Sequence, residues 1–212
     1  MCVICVKKQG KRLPTYEELE LMWSRNPHGA GFMFARNGLV HIRKGFMTLS
    51  ALIHAMNEEK ITKEDSLVIH FRISTQGGIT QENCHPFPIS PKLEDMEALE
   101  ITSNIGIAHN GIIQRTSQNN CKYSDTALFV IKYLCFIYRS PKDIYCKALN
   151  EAAYALAPYN KFALMNGDGK IALLGDFQEK NGLLYSNLYH VPNYRYPCKK
   201  FSFYDDDLQE DL

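Results

Sequence analysis

Apolar and polar positions along the chain follow two patterns, one typical of strands and one of helices. Short apolar runs that end at turn residues predict strands. These runs lie at residues 2–6, 31–45, 66–73, 98–109 and 161–175. The 31–45 run is expected to be two strands joined around Asn37-Gly38, a pair that tolerates the positive φ angles of a tight hairpin. The 161–175 run is a second hairpin by the same reasoning.

Apolar residues at helical spacing predict four helices. The first follows Thr15, which stands three residues before Glu18 in a capping-box pattern. It is expected to stop near Asn26-Pro27, because proline disfavours helical geometry in the residue before it. The other three lie at residues 48–59, 124–138 and 140–156. Ser140 is the expected N-cap of the last one, with a proline in its first turn.

This order of elements predicts an α+β fold. Strand pairs come first and last, helices lie between them, and nothing repeats at a βαβ spacing, which favours helices packed on largely antiparallel sheets. A four-layer αββα arrangement, with two sheets between helical layers, accommodates the pattern. We expect one domain over residues 1–200, followed by an acidic tail at 201–212 that is solvated and frayed.

Composition narrows the classes of partner. The chain has 212 residues, 45% of them apolar, and a formal net charge of +1, so it lacks the basic footprint of a nucleic-acid binder. No stretch approaches the roughly 20 apolar residues that span a bilayer, and the start is not a secretory signal. The seven cysteines are irregularly placed. We therefore expect a cytoplasmic protein with reduced thiols and no membrane partner.

Five segments carry polar residues that strand propensity and core packing would not select. Each lies at the end of a predicted strand or the start of a predicted helix, where a rigid scaffold displays functional groups. The segments are Cys2, RNPHGAG at 25–31, HFRISTQG at 70–77, NCHPF at 83–87, and HNG at 109–111 followed by SDT at 124–126. Together they predict a single site.

In their order and content these segments resemble the class II glutamine amidotransferases, which are N-terminal nucleophile hydrolases. That family has a nucleophilic cysteine, then Arg-Gly-x-Asp, His-x-Arg-x-x-Thr-x-Gly, Asn-x-His-Pro, His-Asn-Gly and Ser-Asp-Thr segments. The likeness covers roughly the first 130 residues, and the order of the pieces carries it, since any one alone is weak. His28 stands where the family often has an acidic residue. The resemblance implies the four-layer fold of the N-terminal nucleophile hydrolases.

The residue types suit the hydrolysis of an amide. An amide is a poor electrophile, so its cleavage needs an activated nucleophile, stabilisation of the oxyanion and orientation of the substrate. If Met1 is removed, Cys2 gains a free α-amino group with a pKa of about 8 that can take the thiol proton. Arg72 can grip a carboxylate, and Asp125 near a helix start can accept an ammonium. This pair suits a free amino acid.

The resemblance adds roles for further residues. It implies that the Asn110 side chain and the Gly111 backbone N–H stabilise the oxyanion. It also implies that backbone groups near Thr75 and Gln76 contact the substrate. Arg25 is expected to help hold the N-terminal end, and His85 to buttress the pocket. These expectations complete the set of candidate site residues.

Other interpretations of the same residues stay open at this point. Cys2 can be a small apolar residue in a buried strand, or Cys2-x-x-Cys5 half of a zinc or redox site, although no second such pair exists. Arg72 and Asp125 can be a structural salt bridge. Asn110-Gly111 alone can be a hairpin turn.

The expected activity is a glutaminase that releases ammonia from L-glutamine through a thioester on Cys2. This chemistry requires neither a metal nor an organic cofactor. After the motifs the chain has no room for a synthase domain, so we expect a separate ammonia-accepting synthase as partner. The alternatives are an amidohydrolase of the same fold acting on another γ-glutamyl or amide compound, and a non-catalytic binding or regulatory protein.

Overall fold

A computed structural model describes residues 1–75, 78–117 and 121–192 of the chain. The expected acidic tail at 201–212 and the expected domain end at residue 200 lie outside the described residues. Within them, no helix is long and apolar enough to cross a membrane.

Eleven strands occur in the described part of the chain. They are β1 (Val3–Lys7), β2 (Ala30–Arg36), β3 (Leu39–Phe46), β4 (Leu67–Phe71), β5 (Phe87–Pro88), β6 (Glu100–Ser103), β7 (Ile105–Asn110), β8 (Lys161–Asn166), β9 (Ile171–Leu174), β10 (Gln178–Lys180) and β11 (Leu183–Tyr185). The α-helices are α1 (Tyr16–Arg25), α2 (Leu49–Glu58), α3 (Leu93–Glu97), α4 (Asp125–Phe129), α5 (Cys135–Ile137) and α6 (Lys147–Leu156). A π-helical turn at Val130–Leu134 joins α4 to α5, and a 3₁₀ helix at Pro141–Tyr145 precedes α6.

The strands form two antiparallel sheets. The seven-stranded sheet has the order β10-β11-β1-β4-β2-β3-β6, and the four-stranded sheet has the order β5-β7-β8-β9. Every pairing between neighbours is antiparallel. The predicted α+β class with antiparallel sheets is therefore confirmed.

Three groups of buried side chains form the core. One joins the seven-stranded sheet to α1 and α2 and includes Met22, Phe32 and Leu52. A second contains residues of both sheets, such as Ile4 from β1 and Ala163 from β8. The third packs the four-stranded sheet against α4, α6 and the turns around them. Strands β1, β4 and β7 are buried along their whole length, which explains their nearly continuous apolar sequences.

Local signals in the sequence match the structure in several places. Thr15 and Glu18 form the expected reciprocal capping box, and α1 ends at Arg25, directly before Asn26. Asn37 and Gly38 both have positive φ, of 55° and 76°, between paired strands β2 and β3. These turns fix the register in which the buried face of β2 meets the core.

Two predicted elements are divided in the structure. The 98–109 run is two strands, because the chain leaves the seven-stranded sheet after Ser103 and enters the four-stranded sheet at Ile105. The 140–156 helix is also broken. Ser140 does cap a helix, but that helix is a 3₁₀ turn, and Cys146 takes an extended conformation with φ −78° and ψ 109° before α6 begins. Helix α3 and strands β5, β10 and β11 have no counterpart among the predicted elements.

Candidate active site

Cys2 lies immediately before β1, with its backbone and side chain both held. The carbonyl oxygen of Cys2 accepts a hydrogen bond of 2.7 Å from Asn187 Nδ2. The Sγ atom accepts one from the Ile73 N–H at 3.3 Å and donates to the Ile73 carbonyl at 3.4 Å. Burial of the thiol raises its pKa, although the Ile73 hydrogen bond and the Arg72 charge act in the opposite direction. The thiol is therefore protonated at neutral pH.

Two cavities meet at Cys2. Residues that line both are Cys2, Ile73, Thr75 and Gly111. The smaller cavity, of about 20 Å³, is also lined by Arg72, His85, His109, Ser124 and Asp125. The larger is a cleft of about 850 Å³ on the side of residues 112–115 and 156–160. The structure thus brings six of the predicted site residues together around one chamber: Cys2, Arg72, Thr75, His85, Gly111 and Asp125.

Asn110 and Gly111 lie at the end of β7. The Asn110 side-chain amide donates a 2.9 Å hydrogen bond to Ser186 Oγ, while its Oδ1 is buried and has no partner among the described residues. Gly111 has a φ of 150°, and a Cβ atom there would lie 1.9 Å from Asn160 Oδ1. Only glycine fits this position. The chain after Gly111 leads into the cleft rather than into a two-residue hairpin.

Arg72 is buried directly after β4 and joins the loop before β2 to the loop that follows β4. Its backbone N–H donates to the Gly29 carbonyl at 2.8 Å, and its own carbonyl accepts from the His28 N–H at 3.0 Å. The guanidinium donates to the Gly78 carbonyl at 2.7 Å and to Ser74 Oγ at 3.2 Å. Burial lowers the pKa of Arg72, and the nearby Cys84, Cys2 and Asp125 side chains partly oppose that effect.

Asp125 is the first residue of α4, and only 6% of it is exposed. Its Oδ2 accepts a 2.7 Å hydrogen bond from the Ile113 N–H, and its Oδ1 accepts one of 2.8 Å from the Thr126 N–H. Among the described residues its carboxylate forms no salt bridge. The carboxylate is therefore held by backbone N–H groups at a helix start, where negative charge is favoured.

Three buried histidines lie beneath this chamber. The ring centroids of His70 and His85 are 4.3 Å apart, and those of His85 and His109 are 6.2 Å apart. Burial lowers the pKa of each ring, to about 3 for His70, and the neighbouring histidines lower those of His70 and His85 further. Neither ring nitrogen of His85 has a hydrogen-bond partner in the described part of the chain. These rings are neutral at physiological pH.

His109 connects the chamber to the loop before β8. Its Nε2 donates to Asn160 Oδ1 at 2.7 Å, so the neutral ring accepts at Nδ1 from the Thr126 hydroxyl, also at 2.7 Å. Asn160 Nδ2 in turn donates to the Pro158 carbonyl at 3.1 Å. The loop at 157–160, which lines the cleft, is thereby fixed to the helix start that carries Asp125.

Three of the nine predicted site residues are not among the six that line this chamber. Asn110, at the end of β7, lines neither cavity. Arg25 is exposed in the last turn of α1, lines neither cavity and makes no side-chain hydrogen bond or ion pair within the described residues. Gln76 lies outside the described residues. Cys84 is fully buried beside Gly29.

Sequence reasoning missed three residues that hold the site: Asn160, Ser186 and Asn187. Ser186 Oγ accepts from the Asn110 amide and also, at 2.9 Å, from the Ile4 N–H of β1. The available signal was a pair of small polar residues directly after the short apolar run at 183–185. That run is β11, which pairs with β1, so this polar pair lies next to the strand that follows Cys2.

Among the described residues, no group of three or more histidine, cysteine or acidic side chains is arranged to hold a metal ion. Comparison with models of known protein families and with curated protein sequences finds no match to this chain.

Proposed function

We propose that the protein is a cysteine-dependent amide hydrolase that releases ammonia from L-glutamine. The observation that carries this proposal is the convergence of Cys2, Gly111, Arg72 and Asp125 on one chamber from four separate segments. A nucleophile, an oxyanion donor, a cation and an anion are the groups that hydrolysis of a zwitterionic amide needs. The three groups of buried side chains lie between helices and the seven-stranded sheet, between the two sheets, and between the four-stranded sheet and helices. This layering supports a four-layer αββα fold of the N-terminal nucleophile type.

The reaction begins with attack of the Cys2 sulfur on the side-chain carbonyl carbon of glutamine. Because burial raises the thiol pKa, the sulfur needs a base, and the α-amino group of Cys2 is that base once Met1 has been removed. The oxyanion is stabilised by the Asn110 amide and the Gly111 N–H. Ammonia leaves with the thiol proton, and water hydrolyses the resulting thioester to glutamate.

Substrate capture exchanges one set of hydrogen bonds for another. The Arg72 guanidinium gives up the Gly78 carbonyl and Ser74 hydroxyl for the substrate carboxylate, which is a stronger, charged acceptor. Asp125 keeps its two backbone donors and accepts the substrate ammonium through its remaining lone pairs. Backbone groups near Thr75 complete the pocket, and His85 packs beneath it.

The ammonia is passed to a separate synthase in the cytoplasm. The chemistry uses no metal or organic cofactor. The alternative is that Cys2 does not react; the chamber then binds a free amino acid, and the protein has a binding or regulatory role.

Glutamine turnover by purified protein tests the proposal. Protein whose N-terminus has been verified by mass spectrometry is assayed for glutamate and ammonia, beside Cys2→Ala and a control variant, Cys146→Ala, which changes an exposed cysteine. We expect turnover in the wild type and the control and none in Cys2→Ala. Equal turnover in Cys2→Ala, or no turnover by wild-type protein beginning at Cys2, contradicts the proposal.

A further inference from the structure

We infer that the large cleft beside Cys2 binds the amine portion of a γ-glutamyl peptide. The preferred substrate is then L-glutamate joined, through its side-chain carboxyl, to the amino group of an apolar amino acid. This inference rests on the proposed function, because it uses the same Cys2 reaction and the same glutamyl site. It replaces ammonia by a larger leaving group, so that glutamine becomes the slower of the two substrates.

The two cavities define a leaving-group side. Cys2 and Gly111 line both, so an amide carbon bound at Cys2 lies where the cavities meet. The cavity beside Arg72 and Asp125, of about 20 Å³, admits the glutamyl end only once Arg72 has released the Gly78 carbonyl and the Ser74 hydroxyl, as the proposed function requires. The substituent on the amide nitrogen then extends into the cleft. Ammonia is about the size of water, which occupies roughly 30 Å³ in the liquid. The cleft of about 850 Å³ instead lies in the usual range for small-molecule sites.

The walls of the cleft are mainly apolar. They are formed by Ile112, Leu156, Ala157, Pro158 and Tyr159. Ile112 and Tyr159 are largely exposed, so their apolar surface is available to a ligand. An apolar side chain on the leaving amino acid would remove this surface from water.

Tyr159 has an unusual backbone conformation at the rim of the cleft. Its φ is 65°, which is strained for a bulky residue, and its side chain is 94% exposed. The adjacent Asn160 fixes the loop through its hydrogen bonds to His109 and Pro158. The loop therefore holds an aromatic ring in solvent at the cleft, at an energetic cost that contact with a ligand would offset.

The charge of the cleft favours an acidic ligand. Among the described residues that line it, Arg115 has the only charged side chain and no carboxylate is present. Arg115 Nε donates a weak hydrogen bond of 3.4 Å to the Leu156 carbonyl, while the terminal nitrogens make none within the described residues. The guanidinium lies over the Tyr133 ring, 5.8 Å from its centroid, a contact that is compatible with its N–H groups binding the α-carboxylate of a leaving amino acid.

With this substrate, the bonds and protons of the reaction still balance. The C–S bond to Cys2 forms as the amide C–N bond breaks, and the proton of the thiol goes to the leaving nitrogen. A free apolar amino acid departs, and water then hydrolyses the thioester to glutamate and the thiol. No oxidant, reductant or further reactant is needed.

A substrate series tests the inference. Protein beginning at Cys2 is assayed with glutamine, γ-glutamyl-leucine, γ-glutamyl-glycine and γ-glutamyl-leucinamide, which lacks the carboxylate. We expect kcat/KM for γ-glutamyl-leucine to exceed that for each of the other three by roughly 10-fold or more. The amide lacks the charge-assisted contact, γ-glutamyl-glycine lacks the buried apolar side chain, and glutamine lacks both. Arg115→Gln should reduce the preference for the acid over the amide by about the same factor. Arg139→Gln, a control at an exposed arginine, should not.

A second variant tests the aromatic wall. Tyr159→Asn keeps a residue that tolerates positive φ and should lower the preference for γ-glutamyl-leucine over γ-glutamyl-glycine. Turnover of glutamine without turnover of γ-glutamyl-leucine overturns this inference and leaves the proposed function standing. A leucine peptide cleaved no faster than its amide also overturns it. Failure of all four substrates overturns the proposed function together with the inference.

Discussion

Ser186 Oγ accepts hydrogen bonds from both the Asn110 side-chain amide and the backbone N–H of Ile4, each at 2.9 Å. Asn110 is the last residue of β7, in the four-stranded sheet. Ile4 belongs to β1, the strand of the seven-stranded sheet that begins directly after Cys2. One buried hydroxyl therefore fixes the proposed oxyanion donor relative to the strand that carries the proposed nucleophile. The neighbouring Asn187 holds the Cys2 carbonyl.

Ser186→Ala is expected to lower kcat for glutamine by roughly 10-fold or more with little change in KM, because a misplaced oxyanion donor affects the transition state. It should also lower the free energy of unfolding by about 1–3 kcal/mol, since the buried Ile4 N–H loses its side-chain acceptor. Steady-state kinetics and urea unfolding measure the two effects. If Ser186 has only a structural role, Ser186→Ala loses stability and keeps the wild-type kcat.

The double variant Ser186→Ala with Asn110→Ala separates these roles. If Ser186 acts through Asn110, its effect on kcat should disappear once the asparagine side chain has been removed. Additive losses in kcat would show that the two residues act independently.

Gly111→Ala is expected to disrupt the site because of its geometry alone. A Cβ atom at Gly111 would lie 1.9 Å from Asn160 Oδ1 and 3.1 Å from His109 Nε2, the two atoms of one hydrogen bond. We expect a loss of at least about 2 kcal/mol in the free energy of unfolding. Gly38→Ala is the matched control, since Gly38 also has positive φ but nothing lies within 4 Å of an added Cβ. It should cost only about 1 kcal/mol. Equal losses in the two variants contradict the proposed clash.

The pH dependence of stability provides a test that is independent of function. His190 is buried against the Tyr185 ring, its Nδ1 has no partner among the described residues, and burial lowers its pKa to about 4. The unfolded chain therefore binds the proton more readily, so the stabilising contribution of His190 is complete above about pH 6.5 and falls as the pH drops towards 4.

Between pH 7 and pH 5 this histidine should cost about 1–2 kcal/mol of unfolding free energy. His190→Phe should remove that part of the pH dependence, whereas His54→Gln, at an exposed histidine, should not. Urea unfolding at pH 7, 6 and 5 measures the difference. Parallel curves for His190→Phe and the wild type contradict the assignment.

The sequence predicted those parts of the site that depend on local signals. Cys2 lies directly before an apolar strand, Arg72 and Gly111 directly after one, and Asp125 follows a helix-capping serine, so each position was visible from its neighbours. The roles of Ser186 and Asn160 were not visible, because they depend on pairing between strands that lie far apart in the chain. The large cleft was missed for the same reason, since its two walls come from residues 112–115 and 156–160. Local pattern likewise gave no sign that the chain changes sheets between Ser103 and Ile105.

The final prediction concerns Met1, the residue before the proposed nucleophile. Met1 is 66% exposed at the edge of the cleft, so its removal requires no unfolding of the core. Retained, it turns the Cys2 nitrogen into a peptide nitrogen that cannot act as a base, while burial keeps the thiol protonated. We expect protein that begins at Cys2 to be active. A chain with lysine inserted between Met1 and Cys2, whose bulk blocks aminopeptidase processing, should be slower by roughly 100-fold or more. Intact-mass measurement and glutamine kinetics on both preparations check this, with Cys2→Ala as the baseline. Comparable cysteine-dependent rates in both would rule out the N-terminal amine as the base and require another group in the chamber to take the thiol proton.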